Sequence, residues 1–382
     1  MQYRRLGRTG IDVSVIALGC EGFMHKPTRE VKADFDFAID HGINFIDIYS
    51  PNPELRTNFG LALDGRRDKF VLQGHLCTVW ENGQYLRTRN EARIIPAFED
   101  QLRELRTDHI DIGMIHYVDA VDDFHRVFDG PVIDIARRLK DEGKILHLGM
   151  SSHNPVVARM AVESGLIDVI MFSINPAYDL LPPSEDVDEL FERSTFEHAR
   201  HNIDPERESL YELCEREGVA IDVMKVYAGG NLLNAADSPF GKAMTAVQTI
   251  DYALSRPAVA AVILGCKNRD EIAEALHWCD ASADERDYSS VITSAERFTW
   301  QGHCMYCGHC APCTAGIDIA MVNKLYNLTL TQGMIPETVR EHYHTLAHHA
   351  SECVGCHACE RRCPFGVEIV DSMHRAAEKF GY

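Results

Sequence analysis

The 382-residue sequence predicts an α/β fold, a (β/α)8 TIM barrel, followed by a small and mostly helical domain. Short β-branched apolar runs alternate with helical segments, and eight such runs are present. No Gly-rich loop follows the first run, although a doubly wound sheet normally has one there. The alternation stops near Asp280, and two runs of cysteines follow it. We therefore expect a barrel over residues 1–285 and a second domain over residues 286–382.

Eight apolar runs of five or six residues are the predicted strands of the barrel. Each is too short for a helix and is followed by a loop. A strand that is buried on both faces has such a continuous apolar sequence. The predicted strands are Val13–Leu18, Ile43–Ile48, Phe70–His75, Ile110–Ile115, Ile145–Met150, Val169–Ser173, Ala220–Lys225 and Ala260–Leu264.

The helices between these strands have recognisable ends, with Pro in the first turn and Gly just past the last one. The same signals are sparser after residue 286, where three further helices are expected. The predicted barrel helices run from Asn154-Pro155 to Gly165, from Asp204-Pro205 to Gly218, from a Thr28 cap to Gly42, and onward from Ser238-Pro239. The predicted helices of the second domain are Ile317–Leu328, Pro336–His348 and Glu368–Phe380.

Composition and charge limit the classes of partner. The formal net charge of −20 argues against nucleic acid, because neutralising phosphates needs a basic surface. No apolar run approaches the length that spans a membrane, and the N-terminus has no apolar signal segment. We therefore expect no membrane or nucleic-acid partner and a cytoplasmic location.

Eight of the 13 cysteines form two closely spaced runs in the last 80 residues. The second run, with a proline after its last cysteine, has the spacing of a bacterial two-cluster ferredoxin. In such runs three thiolates bind one 4Fe–4S cluster and the fourth binds the other, so a ferredoxin-like domain with two 4Fe–4S clusters is predicted. One cluster would be held by Cys304, Cys307, Cys310 and Cys363, and the other by Cys313, Cys353, Cys356 and Cys359.

Two other interpretations of the cysteine runs, zinc sites and disulfides, fit the sequence less well. Zinc sites more often use separated pairs of cysteines, four thiolates to a metal, so runs of three at this spacing are poorly explained. A disulfide framework belongs to small secreted domains, and nothing here indicates secretion. In the first run the fourth cysteine comes one residue early and Thr314 stands where proline is usual, so the exchange of ligands between runs stays open.

Ionisable residues cluster where the predicted strands end, which is where a barrel of this kind places its active site. Asp47 and Tyr49 follow the second strand, and His75 ends the third. His116 follows the fourth strand and Lys225 ends the seventh. We expect these five side chains to be catalytic.

Several segments, in order along the chain, resemble the aldo-keto reductase superfamily, in particular members with a C-terminal ferredoxin-like domain. The segments that carry the resemblance are Tyr3 to Gly10, Ala17 to Cys20, Gly42 to Asp47, Ile115-His116, His147 to Ser152 and Ile263 to Gly265. The resemblance implies a monomeric barrel that reduces carbonyls with a nicotinamide and an Asp–Tyr–Lys–His tetrad.

Half of that tetrad matches this sequence. Asp47 and His116 occupy the positions of the family's aspartate and histidine. Asn52 stands where the tyrosine is expected, with Tyr49 nearby, and His75 replaces the lysine. The family's tyrosine donates a proton with the help of the lysine cation, and an asparagine amide cannot replace it.

The nicotinamide site implied by the resemblance is also altered. Ser151 is retained, and Asn175 lies at the neighbouring strand end. Lys225 replaces a stacking tyrosine, Met171 a glutamine and Glu271 an arginine, with Lys267 and Arg269 close to the last position. NAD(P)H is therefore an implied cofactor whose usual partners are only partly present.

Three hypotheses follow for the reaction. In the first, the clusters pass electrons singly to a small-molecule substrate or a bound cofactor in the barrel mouth. His75 and His116 then donate protons, and Asp47 orients one of them. Lys225 holds a carboxylate or oxyanion, and a ferredoxin, flavodoxin or flavoprotein is an external electron carrier.

The second hypothesis is NAD(P)H-dependent carbonyl reduction with a rearranged tetrad. The third is a lyase or hydrolase whose divalent metal is bound by Asp47, His75 and His116.

Overall fold

The computed structural model describes residues 1–191, 195–196, 199–200, 202–293, 302–330 and 335–382. Within them, eight parallel strands close into a barrel in the order β3-β4-β5-β8-β9-β10-β11-β12, which confirms the predicted barrel. Two antiparallel hairpins, β1-β2 and β6-β7, stand beside it. The strands are β1 (Tyr3–Arg5), β2 (Asp12–Ser14), β3 (Ile16–Gly19), β4 (Phe45–Ile48), β5 (Val71–Leu76), β6 (Thr78–Glu81), β7 (Gln84–Arg87), β8 (Ile110–Ile115), β9 (Ile145–Ser152), β10 (Val169–Ser173), β11 (Ala220–Met224) and β12 (Val259–Leu264).

Helices surround the barrel, and five of those described, α11 to α15, lie in the C-terminal region. None of the helices in the described ranges is long and apolar enough to cross a membrane. The helices are α1 (Thr28–Asp40), α2 (Pro53–Leu63), α3 (Glu91–Leu105), α4 (Val121–Phe128), α5 (Pro131–Asp141), α6 (Pro155–Glu163), α7 (Pro205–Glu217), α8 (Ala246–Leu254), α9 (Arg269–Leu276), α10 (Ala283–Arg286), α11 (Ser289–Ile292), α12 (Ile319–Asn327), α13 (Glu337–His344), α14 (Ala358–Arg362) and α15 (Ile369–Phe380).

The first predicted strand, Val13–Leu18, was wrong as a single element. Its first half belongs to β2, which pairs antiparallel with β1. Only β3, from Ile16, joins the barrel. Ser14 divides the two strands, because its hydroxyl donates to the Ile16 carbonyl at 2.7 Å and its backbone N–H donates to the Asn44 side chain.

Helix ends agree with the sequence where a polar cap precedes proline. The Asn154 and Asp204 side chains accept from the backbone of α6 and α7, and Gly218 ends α7 in the left-handed conformation. Two predicted starts were wrong. Thr28 is the first residue of α1 and not its cap, since its hydroxyl bonds Asn58. No helix begins at Ser238-Pro239, and α8 begins eight residues later at Ala246.

Apolar side chains fill the barrel interior at the end where the strands begin. Phe45, Ile112, Val169 and Ala220 belong to this group, and all are buried. A larger core lies between the sheet and the helices and continues into the C-terminal helices. The interior is therefore closed at one end, and polar side chains are left to occupy the other.

The C-terminal helices pack on one another and on the barrel. The aromatic ring of Tyr343 in α13 stacks on Phe380 of α15, with ring centroids 3.8 Å apart. The Asn327 side chain of α12 donates to the Tyr306 hydroxyl at 3.0 Å. Most of the residues in the segments that carry the cysteines belong to neither a helix nor a strand. Side-chain contacts therefore contribute to the shape of these segments.

Candidate functional site

Three predicted site residues form a hydrogen-bonded line at the C-terminal rim of the barrel. His75 Nε2 lies 2.9 Å from Asp47 Oδ1, and His75 Nδ1 lies 2.7 Å from His116 Nδ1. All three side chains are buried. The line therefore runs Asp47–His75–His116, with His75 in the middle and both of its nitrogens in use.

The parallel sheet brings these residues together because neighbouring strands end at one rim. Asp47 is in β4, His75 is near the end of β5, and His116 directly follows β8. Arg89 fixes the chain beyond β8, since its guanidinium donates to the His116 carbonyl at 2.9 Å and pairs with Asp123 at 2.6 Å.

The protonation of His116 follows from its surroundings. Burial lowers the pKa of His116 well below its usual value, and the charge of His75 lowers it further. The His116 ring therefore stays neutral at neutral pH. A neutral imidazole donates from one nitrogen and accepts at the other, so His116 can pass a proton through its ring.

Tyr49 lies beside the two histidines at the rim. Its ring is nearly parallel to that of His116, with centroids 6.1 Å apart, and it meets His75 edge-on at 6.4 Å. Burial raises the pKa of Tyr49, and burial raises the pKa of Tyr85, in β7, to about 12. Neither phenol is made more acidic by its surroundings. Asn52 instead caps α2.

A second pair of buried polar residues, Gln73 and Asp222, was missed by the sequence analysis. Gln73 donates to Asp47 Oδ1 at 3.0 Å. Asp222, in β11, is fully buried, and neither of its oxygens has a partner at ordinary hydrogen-bond geometry among the residues that the structure describes. Burial raises the pKa of Asp222 well above its usual value, Asp47 raises it further, and the nearby Gln73 amide partly offsets the rise. Polar residues two apart in β5, Gln73 and His75, were the available signal.

The predicted nicotinamide residues fall into two groups. Ser151 is buried, and its hydroxyl has no hydrogen-bond partner in the described part of the chain; the same is true of Ser173, on the next strand. Asn175 is used internally, because its amide donates to the Lys225 carbonyl at 2.9 Å and its oxygen accepts from two backbone N–H groups. Lys225 is half-buried and has a positive φ of 60°.

Lys267 and Arg269 lie on the surface at the start of α9. Arg269 pairs with Asp34 at 3.1 Å, and Glu271 accepts from the Lys267 backbone N–H at 2.7 Å. Of the two predicted phosphate-binding cations, Arg269 therefore already forms an ion pair with a carboxylate. The geometry leaves Lys267 as the better phosphate-binding side chain at this position.

Four cysteines from both runs line one pocket in the C-terminal region. Its empty volume, which is open to solvent, is about 350 Å³. The four are Cys313, Cys353, Cys356 and Cys359, the second predicted ligand set. The Thr314 hydroxyl lies 3.4 Å from Cys356 Sγ, and this contact lowers the pKa of Cys356.

The other four cysteines interact with one another, and we call them the inner cysteine group: Cys304, Cys307, Cys310 and Cys363. Burial raises the pKa of Cys304 to about 12, and the nearby Cys307 and Cys363 contribute to the rise. Burial also raises the pKa of Cys310 to about 12, with contributions from Cys304 and Cys307.

The geometry at these cysteines differs from that of a mononuclear metal site. Nowhere in the described ranges do three His, Cys, Asp or Glu side chains gather tightly enough to hold one ion. A zinc ion draws four ligands to about 2.3 Å from one centre, whereas a cubane takes one thiolate at each of its irons and spreads them apart. In the barrel, the Nδ1 atoms of His75 and His116 face each other and not a shared ion.

The barrel site and the inner cysteine group lie on opposite sides of the barrel wall. Asp47 and His75 belong to β4 and β5, and His116 directly follows β8; all three are buried at the rim of the sheet. Residues next to the inner group contact the outer helices instead: His303 pairs with Glu208 of α7 at 3.2 Å, and Met305 accepts from Arg256, just after α8. These helices flank β11, which is four strands around the ring from β5.

Comparison with known proteins gives one family over most of the barrel. Residues 15–245 match the family model described as "Aldo/keto reductase family". The chain is 28% identical over 214 residues to the aldo-keto reductase YhdN of Bacillus subtilis, a match covering 53% of this chain and 59% of that protein. It is 26% identical over 324 residues to the uncharacterized oxidoreductase YqkF of the same organism, covering 79% of this chain and 99% of that one.

A solved structure agrees with the fold. The aldo-keto reductase AKR11C1 of Bacillus halodurans, in its holo form, superposes with a TM-score of 0.61 at 22% identity. The match covers 78% of this chain and 97% of that chain. At this identity the likeness establishes the barrel architecture, and the side chains of the site must be argued from their own geometry.

Proposed function

The chain belongs to the aldo/keto reductase family and is an oxidoreductase, and from this we propose that it reduces a small carbonyl compound with NAD(P)H, using imidazoles in place of the family's phenol. The observation that supports this is the Asp47–His75–His116 line. It begins at the family's aspartate and ends at the family's histidine, with His75 where the lysine would stand.

We assign the proton delivery to His116. With His75 doubly protonated, its Nε2–H donates to Asp47 and its Nδ1–H donates to His116 Nδ1. His116 then gives the proton on Nε2 to the carbonyl oxygen while it takes the proton of His75 at Nδ1. One proton leaves the protein, His75 becomes neutral, and His116 stays neutral throughout, in agreement with its lowered pKa.

The residues at the C-terminal rim suit a nicotinamide. When bound, a dihydronicotinamide supplies the hydride that goes to the carbonyl carbon. The Ser151 and Ser173 hydroxyls are buried polar groups without partners, so a ligand amide would satisfy them. Lys267 would hold a phosphate, and Lys225 would hold a carboxylate of the substrate or its developing oxyanion.

The imidazoles are better proton donors here than the nearby phenols. Burial raises the pKa of both Tyr49 and Tyr85, so neither phenol readily releases a proton. The family's activating cation is replaced by His75, which is directed at Asp47 and His116. We therefore place Tyr49 as a wall of the substrate site, against the His116 ring.

Binding of the cofactor tests this function most directly. NADPH and NADH are titrated into anaerobically purified protein by calorimetry, and a Ser151→Ala variant is titrated beside it. We expect saturable binding to the wild type and binding weakened about tenfold in the variant, the loss of one buried hydrogen bond. Absence of binding by both dinucleotides at millimolar concentration would overturn the proposal.

A second candidate function concerns electron transfer, and the pocket lined by four cysteines supports it. We propose that this pocket holds one 4Fe–4S cluster and that the inner cysteine group holds another. The pocket includes Cys313 from the first run with three cysteines of the second, the exchange that two-cluster ferredoxins use. Clusters supply single electrons, so an external one-electron carrier is the partner of this function.

Iron analysis separates the two functions. Anaerobic protein should contain about eight irons per chain and show the spectrum of reduced 4Fe–4S clusters after dithionite. A double variant, Cys313→Ala with Cys356→Ala, should lose about half of the iron, whereas Cys279→Ala, outside both groups, should lose none. Stoichiometric zinc, or iron-free protein under anaerobic conditions, would contradict the cluster proposal and leave the nicotinamide proposal standing.

A further inference from the structure

Arg256 is a buried cation beside the inner cysteine group. It lies in the turn between α8 and β12, and its side chain is 1% exposed. No Asp or Glu among the described residues forms an ion pair with its guanidinium, and Nη1 has no hydrogen-bond partner. A buried charge is costly unless an opposite charge offsets it.

The two carboxylates whose charge reaches Arg256 are paired with other arginines. Asp179 pairs with Arg207 at 3.8 Å, and Asp251 pairs with Arg286 at 3.9 Å. Asp179 accepts from the hydroxyls of Tyr211 at 2.5 Å and Tyr252 at 2.8 Å. Asp251 accepts from the Trp278 ring nitrogen at 2.9 Å. The guanidinium instead contacts the faces of Tyr252 and Tyr306, at 4.5 and 5.3 Å from the ring centroids. An anion other than a carboxylate is therefore expected to balance it.

The guanidinium is directed at the cysteine loop. Arg256 Nη2 donates to the Met305 carbonyl at 2.5 Å, and the Tyr288 hydroxyl donates to the same oxygen at 2.9 Å. Met305 lies between two cysteines of the inner group, Cys304 and Cys307. One carbonyl thus receives two donors, of which one is charged.

The same peptide group also acts on sulfur. Its N–H, that of Tyr306, is the backbone group nearest in electrostatic effect to the Cys304 sulfur, and Tyr306 holds the turn with a positive φ of 55°. Hydrogen bonds joined through one peptide polarise each other, so a cation on the carbonyl strengthens the N–H as a donor. The path is Arg256 to the Met305 carbonyl, then the Tyr306 N–H, then Cys304 sulfur.

We propose that Arg256 is a positioning residue that sets the reduction potential of the cluster held by the inner cysteine group. The inference rests on the proposed clusters. A cubane with four thiolates is net negative, and its reduced form carries one more negative charge, so a nearby cation favours the reduced form. The polarised Tyr306 N–H beside Cys304 acts in the same direction. Arg256 therefore raises the potential of this cluster and leaves the solvent-exposed one nearly unchanged.

The test is a potentiometric titration of anaerobic protein, followed by electron paramagnetic resonance, for the wild type and three variants. In Arg256→Gln we expect the reduced-to-oxidised ratio of one cluster to fall at least tenfold at a fixed potential, a shift of 59 mV or more. Arg256→Lys keeps the charge and should shift less. Tyr288→Phe, which removes only the neutral donor to Met305, should shift the same cluster least.

Two controls make the result specific. Thr314→Ala, beside Cys356 in the exposed pocket, should move only the other cluster. Arg207→Gln removes a second buried arginine, one directed at the Ser173 carbonyl at 3.0 Å, and should move neither cluster. Full iron content with unchanged potentials in Arg256→Gln overturns the inference. If Arg256→Gln does not fold, unchanged potentials in both Arg256→Lys and Tyr288→Phe overturn it. Iron-free wild-type protein would instead reject the cluster proposal itself.

Discussion

At the scale of single residues, the sequence predicts the members of the barrel site and that Asp47 orients one histidine, but not that His75 lies between Asp47 and His116. Asp47, His75 and His116 end neighbouring parallel strands, so their meeting at one rim follows from strand direction alone, and the structure confirms it. Gln73 and Asp222, which come near each other in the interior, lie on strands at opposite sides of the barrel. No local pattern specifies a contact between strands so far apart in the ring.

Replacing His116 tests the proposed proton donor. His116→Gln keeps a side chain of similar size, but its amide cannot release a proton near neutral pH. We expect turnover of a carbonyl substrate to fall 10²- to 10⁴-fold, the usual contribution of general acid catalysis, with dinucleotide affinity unchanged within about twofold. Steady-state kinetics and calorimetry measure the two effects.

The matched control for this variant is His125→Gln, on the exposed face of α4, where His125 pairs with Asp129. It should leave turnover unchanged. His75→Ala should behave like His116→Gln, because it removes the side chain that gives its proton to His116. Wild-type turnover in either site variant would remove the imidazole pair from the mechanism.

Asp222 should make the protein less stable as pH rises. Its folded pKa lies well above the unfolded value, so folding takes up a proton wherever the unfolded carboxyl is ionised. That cost is absent below about pH 3.9 and grows by up to about 1.4 kcal/mol per pH unit above it, until the folded pKa is reached. Asp222→Asn removes the cost because an amide does not ionise.

We therefore expect the stability advantage of Asp222→Asn over wild type to be larger at pH 7.5 than at pH 5.5. Urea unfolding followed by far-ultraviolet circular dichroism at both pH values measures it. Asp64→Asn, at an exposed position after α2, serves as the control and should show no such change. Equal differences at the two pH values would mean that Asp222 is ionised in the folded protein.

At the scale of elements, local signals predict a helix only where the following residues can continue it. Asn154-Pro155 and Asp204-Pro205 precede helices, whereas Ser238-Pro239 does not. After Pro239 the chain reaches Gly241 with a φ of 68°, a left-handed conformation that stops a helix. The start of α8 is instead fixed by Thr245 and Gln248, which form a reciprocal capping box.

Gly60 in α2 marks a close approach between two helices. A Cβ at this position would lie 2.2 Å from the Glu104 carbonyl oxygen and 2.9 Å from the Leu105 carbonyl carbon, both backbone atoms at the end of α3. Gly60→Ala would gain about 1 kcal/mol of helix propensity. The clash costs more, because α3 must move, and we expect a net loss of about 1–3 kcal/mol.

Urea unfolding measures this loss, with Thr57→Ala on the exposed face of the same helix as the control. The control should be neutral within about 0.5 kcal/mol. A stabilised Gly60→Ala variant would show that α2 and α3 can separate without loss of packing.

At the scale of the whole molecule, the two halves differ in what the sequence could predict. Alternation of strands and helices predicts the barrel, since each unit repeats one local arrangement. The C-terminal helices were predicted close to their observed bounds, but the contact of Met305, beside Cys304, with Arg256, just after α8, was not. That contact depends on Arg256, whose burial only the packed structure reveals.

Removal of iron should loosen the C-terminal region and spare the barrel. The chain from 302 to 318 and from 353 to 357 has neither helix nor strand, so bound clusters would be its main cross-links. The barrel strands are joined by continuous ladders that involve no cysteine ligand. We therefore expect iron-depleted protein to be cut by trypsin after Arg361 and Arg362, which are exposed between Cys359 and Cys363.

Limited proteolysis with mass spectrometry of the fragments, on loaded and chelated protein in parallel, measures this. Cleavage after Arg361 and Arg362 should be at least tenfold faster without iron, whereas cleavage after Arg138, exposed on α5, should keep its rate. Direct contacts such as the Tyr343–Phe380 stack oppose the loosening, so the change should centre on the cysteine segments and not on α15. Identical cleavage of the two forms would mean that the cysteine segments are held by packing alone, and that the proposed clusters contribute nothing to the architecture.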